Sequence, residues 1–201
     1  TYVQLSVNPT YTAPTSKSMT YSGSAQSLVN AGSVSAGGSM EYALGTDGTT
    51  APTSGWNTSV PTGTNVGTYY VKVELNNINF ANLEKEAVYL QYDIVGAAYT
   101  FDEENSTIPY SISYGTQPNV KCAVKGIELE DGSFEAITAQ PLIEYSYYYA
   151  DGTTPVEDIT KALPGSYVVK AKAAASGNYA ETELELGSMG TFTIKLKFSF
   201  C

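Results

Sequence analysis

Five short segments recur in the same order along this chain, offset by 98 to 104 residues, so any fold it adopts has to accommodate one unit written twice. Met40-Glu41-Tyr42 followed by Asp47-Gly48-Thr49-Thr50 returns as Ile143-Glu144-Tyr145 followed by Asp151-Gly152-Thr153-Thr154. Gly67-Thr68-Tyr69-Tyr70-Val71-Lys72-Val73 returns as Gly165-Ser166-Tyr167-Val168-Val169-Lys170-Ala171. Asn79-Phe80-Ala81 matches Asn178-Tyr179-Ala180, and Tyr92-Asp93-Ile94 matches Phe192-Thr193-Ile194. Insertions in the loops between shared elements produce such a drift in offset. A chain of 201 residues holds two units of about 100 residues, the commonest domain size. The reading is two domains, residues 1–97 and 98–201, with a short, semi-rigid junction at Gly96-Ala97-Ala98.

Period-two alternation makes each unit β. In the first unit Val3, Leu5 and Val7 alternate with polar neighbours, as do Met40, Tyr42 and Leu44, then Tyr69, Val71, Val73 and Leu75 against Tyr70, Lys72 and Glu74, then Val88, Leu90, Tyr92 and Ile94. The second unit repeats this with Val120, Cys122 and Val124, then Ile143, Tyr145 and Tyr147, then Tyr167, Val169, Ala171 and Ala173, then Phe192, Ile194, Leu196, Phe198 and Phe200. Each run has one dry face and one wet face, and turn clusters such as Thr46-Asp47-Gly48 and Glu130-Asp131-Gly132 separate them. Composition agrees: Ser and Thr number 43 against 30 charged residues, and there are 17 Tyr, a mixture suited to half-solvated strands and polar turns rather than helices. The expected class is all-β, each unit a two-layer antiparallel sandwich.

Gly67-Thr68-Tyr69 and Gly165-Ser166-Tyr167 sharpen this to immunoglobulin-like, because there a tyrosine opening the sixth strand turns its hydroxyl back onto the preceding loop. Tyr69 and Tyr167 are thus expected to form a structural tyrosine corner in each unit. Val71 and Val169, two residues on, take the place of the second antibody cysteine, and Tyr42 and Tyr145 that of the buried tryptophan on the third strand. Only Cys122 and Cys201 are available for a disulfide, and the alternation points their side chains apart, Cys122 inward and Cys201 outward.

The first unit resembles the bacterial immunoglobulin-like repeats of MBG type, which occur in tandem on cell-surface and adhesin-like proteins. Met19-Thr20-Tyr21-Ser22-Gly23-Ser24-Ala25-Gln26, Gly38-Ser39-Met40-Glu41-Tyr42-Ala43-Leu44 and Val60-Pro61-Thr62-Gly63-Thr64-Asn65-Val66-Gly67-Thr68-Tyr69 carry the likeness, over most of residues 8 to 95. The second unit is divergent: Tyr114-Gly115-Thr116-Gln117-Pro118 echoes the first block and Leu163-Pro164-Gly165-Ser166-Tyr167 shortens the last. The resemblance implies an extracellular, non-catalytic spacer or adhesive module, a stalk segment of a bacterial surface or secreted protein. The implied partners are other domains of that protein and host or bacterial glycans or proteins.

The residue inventory points the same way. There is no His, all ten basic residues are Lys, and the net charge is −10, which leaves no imidazole or guanidinium for catalysis and repels nucleic acid. No apolar run reaches the roughly 20 residues of a membrane span, and no charged-then-apolar leader follows Thr1, so the chain reads as a mature protein or a trimmed piece of one, with any anchoring signal outside it. Asp102-Glu103-Glu104 with Glu128, Glu130 and Asp131 reads as a solvated acidic loop rather than two carboxylates opposed across a cleft. Calcium-loop spacing is missing, Asp131-Gly132 and Asp151-Gly152 being hairpin turns, and no Gly-x-Ser-x-Gly turn occurs. No enzyme, metal or cofactor is expected. A Lys–Asn crosslink needs an inward lysine, whereas Lys195 and Lys197 face outward in this phasing. Wet-face aromatics could instead stack a saccharide, with Trp56, Tyr70, Tyr89 and Tyr148 as candidate glycan contacts, and a carbohydrate-binding accessory module is the alternative function.

Overall fold

The structure, a computed structural model, describes residues 10–35, 38–50, 52–76 and 88–197, and of residues 74–76, 88–90 and 92 the backbone alone. Nearly all regular structure in them is strand, and the chain divides into two compact units, residues 1–96 and 97–201. The strand expected around Val3, Leu5 and Val7, the Asn79-Phe80-Ala81 match, and the positions Phe198, Phe200 and Cys201 lie outside the described residues.

In the first unit four strands form the larger sheet. They are β2 (Met19–Thr20), β8 (Val88–Val95), β7 (Gly67–Asn76) and β5 (Ser39–Gly45), in that order. Two short pairs lie off this sheet, β1 (Tyr11–Thr12) with β4 (Ser33–Val34) and β3 (Gln26–Ser27) with β6 (Thr62–Gly63). Val71 and Val73 on β7, Met40 and Tyr42 on β5, Ile94 on β8 and Leu28 and Val29 after β3 are all buried.

In the second unit the larger sheet runs β10 (Ser111–Ser113), β15 (Thr191–Lys195), β13 (Gly165–Ala173) and β12 (Ile143–Tyr149), with β14 (Thr182–Leu184) also beside β13. The other layer is β9 (Thr100–Thr107) against β11 (Lys121–Lys125). Tyr167, Val169, Ala171 and Ala173 alternate into one core with Phe192, Ile194, Cys122 and Val124.

Three departures from the alternation have physical causes. The sheets are mixed rather than wholly antiparallel, for β2 runs parallel to β8 and β10 runs parallel to β15. Asp102-Glu103-Glu104 is not a loop but part of β9: Ala123 pairs with Asp102 and Lys121 with Thr107, so four residues from Glu103 to Ser106 bulge opposite Cys122. Leu44 shares the inward face as the partner of Val71, yet it sits at the end of β5 and is 48% exposed, while Ala43 on the supposed wet face is buried.

The layers are tied by tyrosine hydroxyls at equivalent positions. The Tyr145 hydroxyl accepts the Cys122 N–H of β11 at 2.9 Å, and the Tyr42 hydroxyl accepts the Gly32 N–H at 3.0 Å while donating to Met40 Sδ at 3.1 Å. A buried N–H left without an acceptor costs about 1–3 kcal/mol. Tyr145→Phe should therefore destabilise the second unit by about that amount in chemical denaturation. Tyr42→Phe should cost the first unit a similar amount, since it leaves the half-buried Gly32 N–H without its acceptor in the same way.

Candidate functional site

Both Gly-x-Tyr positions make the same bond. Tyr69 donates its hydroxyl to the Asn65 carbonyl at 2.8 Å, and Tyr167 donates to the Leu163 carbonyl at 2.6 Å, each four residues back. A loop carbonyl that no strand can pair is satisfied, and the chain is held where it enters the long central strand. Gly63 makes room for the first of these rings, because a Cβ there would stand 2.9 Å from both Tyr69 and Leu28. Val71 and Val169 two residues on are fully buried, and burial pushes the Tyr167 hydroxyl above the ordinary phenol range.

The candidate glycan contacts are already engaged where their side chains are described. Trp56 is half-buried and donates its indole N–H to the Pro52 carbonyl at 3.0 Å. Tyr70 is half-buried and lies beside the 47–50 turn, where a Cβ on Gly48 would touch its ring at 3.7 Å. Tyr148 faces outward, with Lys170 Nζ 4.6 Å from its ring centroid in a cation–π contact. The Tyr89 side chain lies outside what is described; its backbone pairs with Lys72.

Cys122 is a buried free thiol, raised above its usual pKa by burial, which keeps the nucleophilic thiolate scarce. Asp47 and Asp151 cap equivalent turns. Asp47 accepts the Thr49 and Thr50 N–H groups at 2.7 Å each, and Asp151 those of Thr153 and Thr154 at 2.8 Å each. The backbone bonds from Thr49 and Thr50 hold the Asp47 carboxyl far below the usual range, and the Thr154 hydroxyl and N–H hold Asp151 at about 2. Among the described residues no three His, Cys, Asp or Glu side chains converge to hold a metal ion.

Alternation alone misplaces Lys72. It stands on β7 between inward Val71 and Val73, where a solvated residue is expected, and is 0% exposed. Its stem runs over Gly45, where a Cβ would sit 2.7 Å from Lys72 Cε. Desolvation lowers its pKa, and the Asp47 carboxylate opposes that shift. Its counterpart Lys170 is exposed, so the same side chain meets opposite environments in the two units. The signal available in sequence was the missing side chain at position 45, directly diagonal to Lys72 across the β5–β7 ladder.

No protein-family model, curated protein or solved structure matches this chain. No helix among the described residues is long and apolar enough to cross a membrane.

The capped aspartates set an acid response. Their folded-state pKa values lie below the unfolded value of about 4, so their contribution is complete above about pH 4 and is lost as pH falls toward 2. The thermal midpoint should fall across that window. Asp151→Asn, which keeps an acceptor but has no charge to titrate, should flatten the fall for the second unit; an unchanged slope would show that the turn contributes nothing.

Proposed function

We propose that the chain is a non-catalytic, extracellular structural module: two tandem immunoglobulin-like sandwiches of MBG type, serving as a stalk or spacer in a bacterial cell-surface protein. The observation that carries this reading is the duplication of one frame. Each unit has a hydroxyl bond four residues back from Tyr69 or Tyr167, a hydroxyl tie from Tyr42 or Tyr145, and a short strand parallel to its last strand. The chemistry supports it further, since a chain without His or Arg, whose one described thiol is buried, carries the means to stand rather than to react. Of its candidate glycan contacts, Trp56 gives its N–H to Pro52 and the Tyr148 ring is covered by Lys170, which favours the spacer over the carbohydrate module.

The parallel pairs suit a load-bearing role. A pull on the two ends of a unit draws an early strand and the last strand in opposite directions along their common axis, so their hydrogen bonds share the load in shear. Three residue pairs link β10 to β15, and two link β2 to β8. Single-molecule pulling on the full chain should give two unfolding events, the stronger from the second unit. Thr193 N–H donates to the Tyr110 carbonyl and Tyr114 N–H to the Lys195 carbonyl, so even-numbered residues of this stretch face β15. Ile112→Pro removes a donor from that row and should weaken only the stronger event. Extension without resolved force peaks would exclude a load-bearing stalk.

A further inference from the structure

The outward face of the β10–β15–β13–β12 sheet has a charge gradient along its strands. Tyr167, Val169, Phe192 and Ile194 point inward, so register places Ser166, Val168, Lys170 and Lys172 of β13 outward, with Thr193 and Lys195 of β15. At one end stand Lys195, with its Nζ 6.0 Å from the Tyr110 ring, and exposed Lys197 two residues on, while Lys170 lies over Tyr148 just past the middle of β13, between Val168 and Lys172. The register positions of the Lys195 half, Ser111, Ser113, Ser166 and Thr193, bring hydroxyls and no carboxylate. Nearby Asp151 is held by Thr153 and Thr154, and Asp158 is paired with Lys161 at 2.9 Å. The other end is acidic: Glu144 and Glu183 flank Lys172 on either side, and Lys172 pairs with Glu181 at 2.5 Å. With Lys170 in the same half, three carboxylates there face two ammonium groups, against the two ammonium groups of Lys195 and Lys197 at the first end. Tyr110 is 80% exposed, an uncommon degree for a ring that size.

We propose that this face is a docking surface for a second copy of the same chain, packed antiparallel about a two-fold axis near Val168 and Thr191. A two-fold contact is self-complementary, with residue i of one copy meeting residue j of the other and the reverse. Turned by half a revolution, the lysine end of one sheet lies over the glutamate end of the next, twice per dimer. The seven residues of β13 from Ser166 to Lys172 span about 20 Å, and four strands span about 15 Å. That footprint is below the roughly 800 Å² per partner of a standard interface, so the dimer is weak and its partners exchange. The matching face of the first unit is not offered in the same way, since Lys72 there is covered. The inference goes beyond the spacer reading and stands without it.

Charge exchange on the full chain tests this in sedimentation velocity, at protein concentrations up to about 500 µM and about 150 mM NaCl. Lys195→Glu with Lys197→Glu makes both ends of the face acidic, and Glu144→Lys with Glu183→Lys makes both basic. Wild type should dimerise with rising concentration, each doubly reversed chain should associate at least about tenfold more weakly, and an equimolar mixture of the two should recover mixed dimers. The mixture also shows that the variants are folded. A wild type that stays monomeric throughout, variants that dimerise like wild type, or a mixture that does not associate would each overturn the proposal. A monomeric wild type that binds polygalacturonate through these lysines would replace the second copy with an anionic glycan.

Discussion

Stacking two pleated layers satisfies backbone groups within each layer but leaves the corners and the short edges unpaired, and in this protein tyrosine hydroxyls do that work. The Tyr69 and Tyr167 bonds hold the loop that leads into the longest strand, and the Tyr42 and Tyr145 bonds reach across from the larger sheet to backbone N–H groups outside it. Both are made from rings whose bodies fill the core, so one side chain contributes apolar area and a specific polar tie together. Where tyrosine does not reach, other side chains stand in for a missing strand. The Gln140 amide accepts from Val124 N–H and donates to Val124 O, both at 2.8 Å, and the Ser106 hydroxyl accepts from Ala123 N–H at 2.8 Å. The edges of β11 are thereby closed along much of its length, and a closed edge does not recruit another chain by backbone pairing.

Upon this common frame the two units diverge where the frame does not constrain them. The last strand of the second unit is split: β14 and β15 both lie beside β13, separated by a short helical turn at Gly187–Gly190. Tyr179 stacks on Tyr99 at 4.6 Å, accepts from Ile127 N–H and donates to Glu135, joining several loops of the second unit. Gly126 permits that approach, since a Cβ there would lie on the Tyr179 hydroxyl. Lys72 and Lys170 show the same divergence on the outer face, one covered and one open. The two units share the hydroxyl bonds and the strand order of the larger sheet, while the surfaces around them differ.

Alternation revealed the long strands because seven to ten residues carry several periods, as in β5, β7, β12 and β13. It could not reveal β1, β2, β3, β4 or β6, whose two residues hold no period at all, nor the parallel pairings that β2 and β10 make. The acidic run of β9 was illegible for a different reason: its bulge breaks the period where the charges are densest, so it looks like a loop. Lys72 fails the rule in the other direction, being a charged residue at a properly outward position that the fold nonetheless covers. Of the candidate site, residue types placed Tyr148 and Trp56 correctly on the outside or in a loop, but their engagement with Lys170 and Pro52 depends on distances that no pattern encodes.

A net charge of −10 argues against attraction between copies at long range, yet it does not decide what happens at contact. At physiological salt the screening length is about 8 Å, so most of the acidic surface is felt weakly by an approaching molecule, while charges brought within a few ångströms act nearly unscreened. Under those conditions overall repulsion discourages random encounters, and the local arrangement selects which orientation survives. Salt alone would therefore be a poor diagnostic, since it relaxes the general repulsion and the specific attraction together. A face whose charge runs from lysine to glutamate along the strands makes parallel stacking unfavourable at both ends and antiparallel stacking favourable at both, so the gradient acts on orientation more strongly than on affinity.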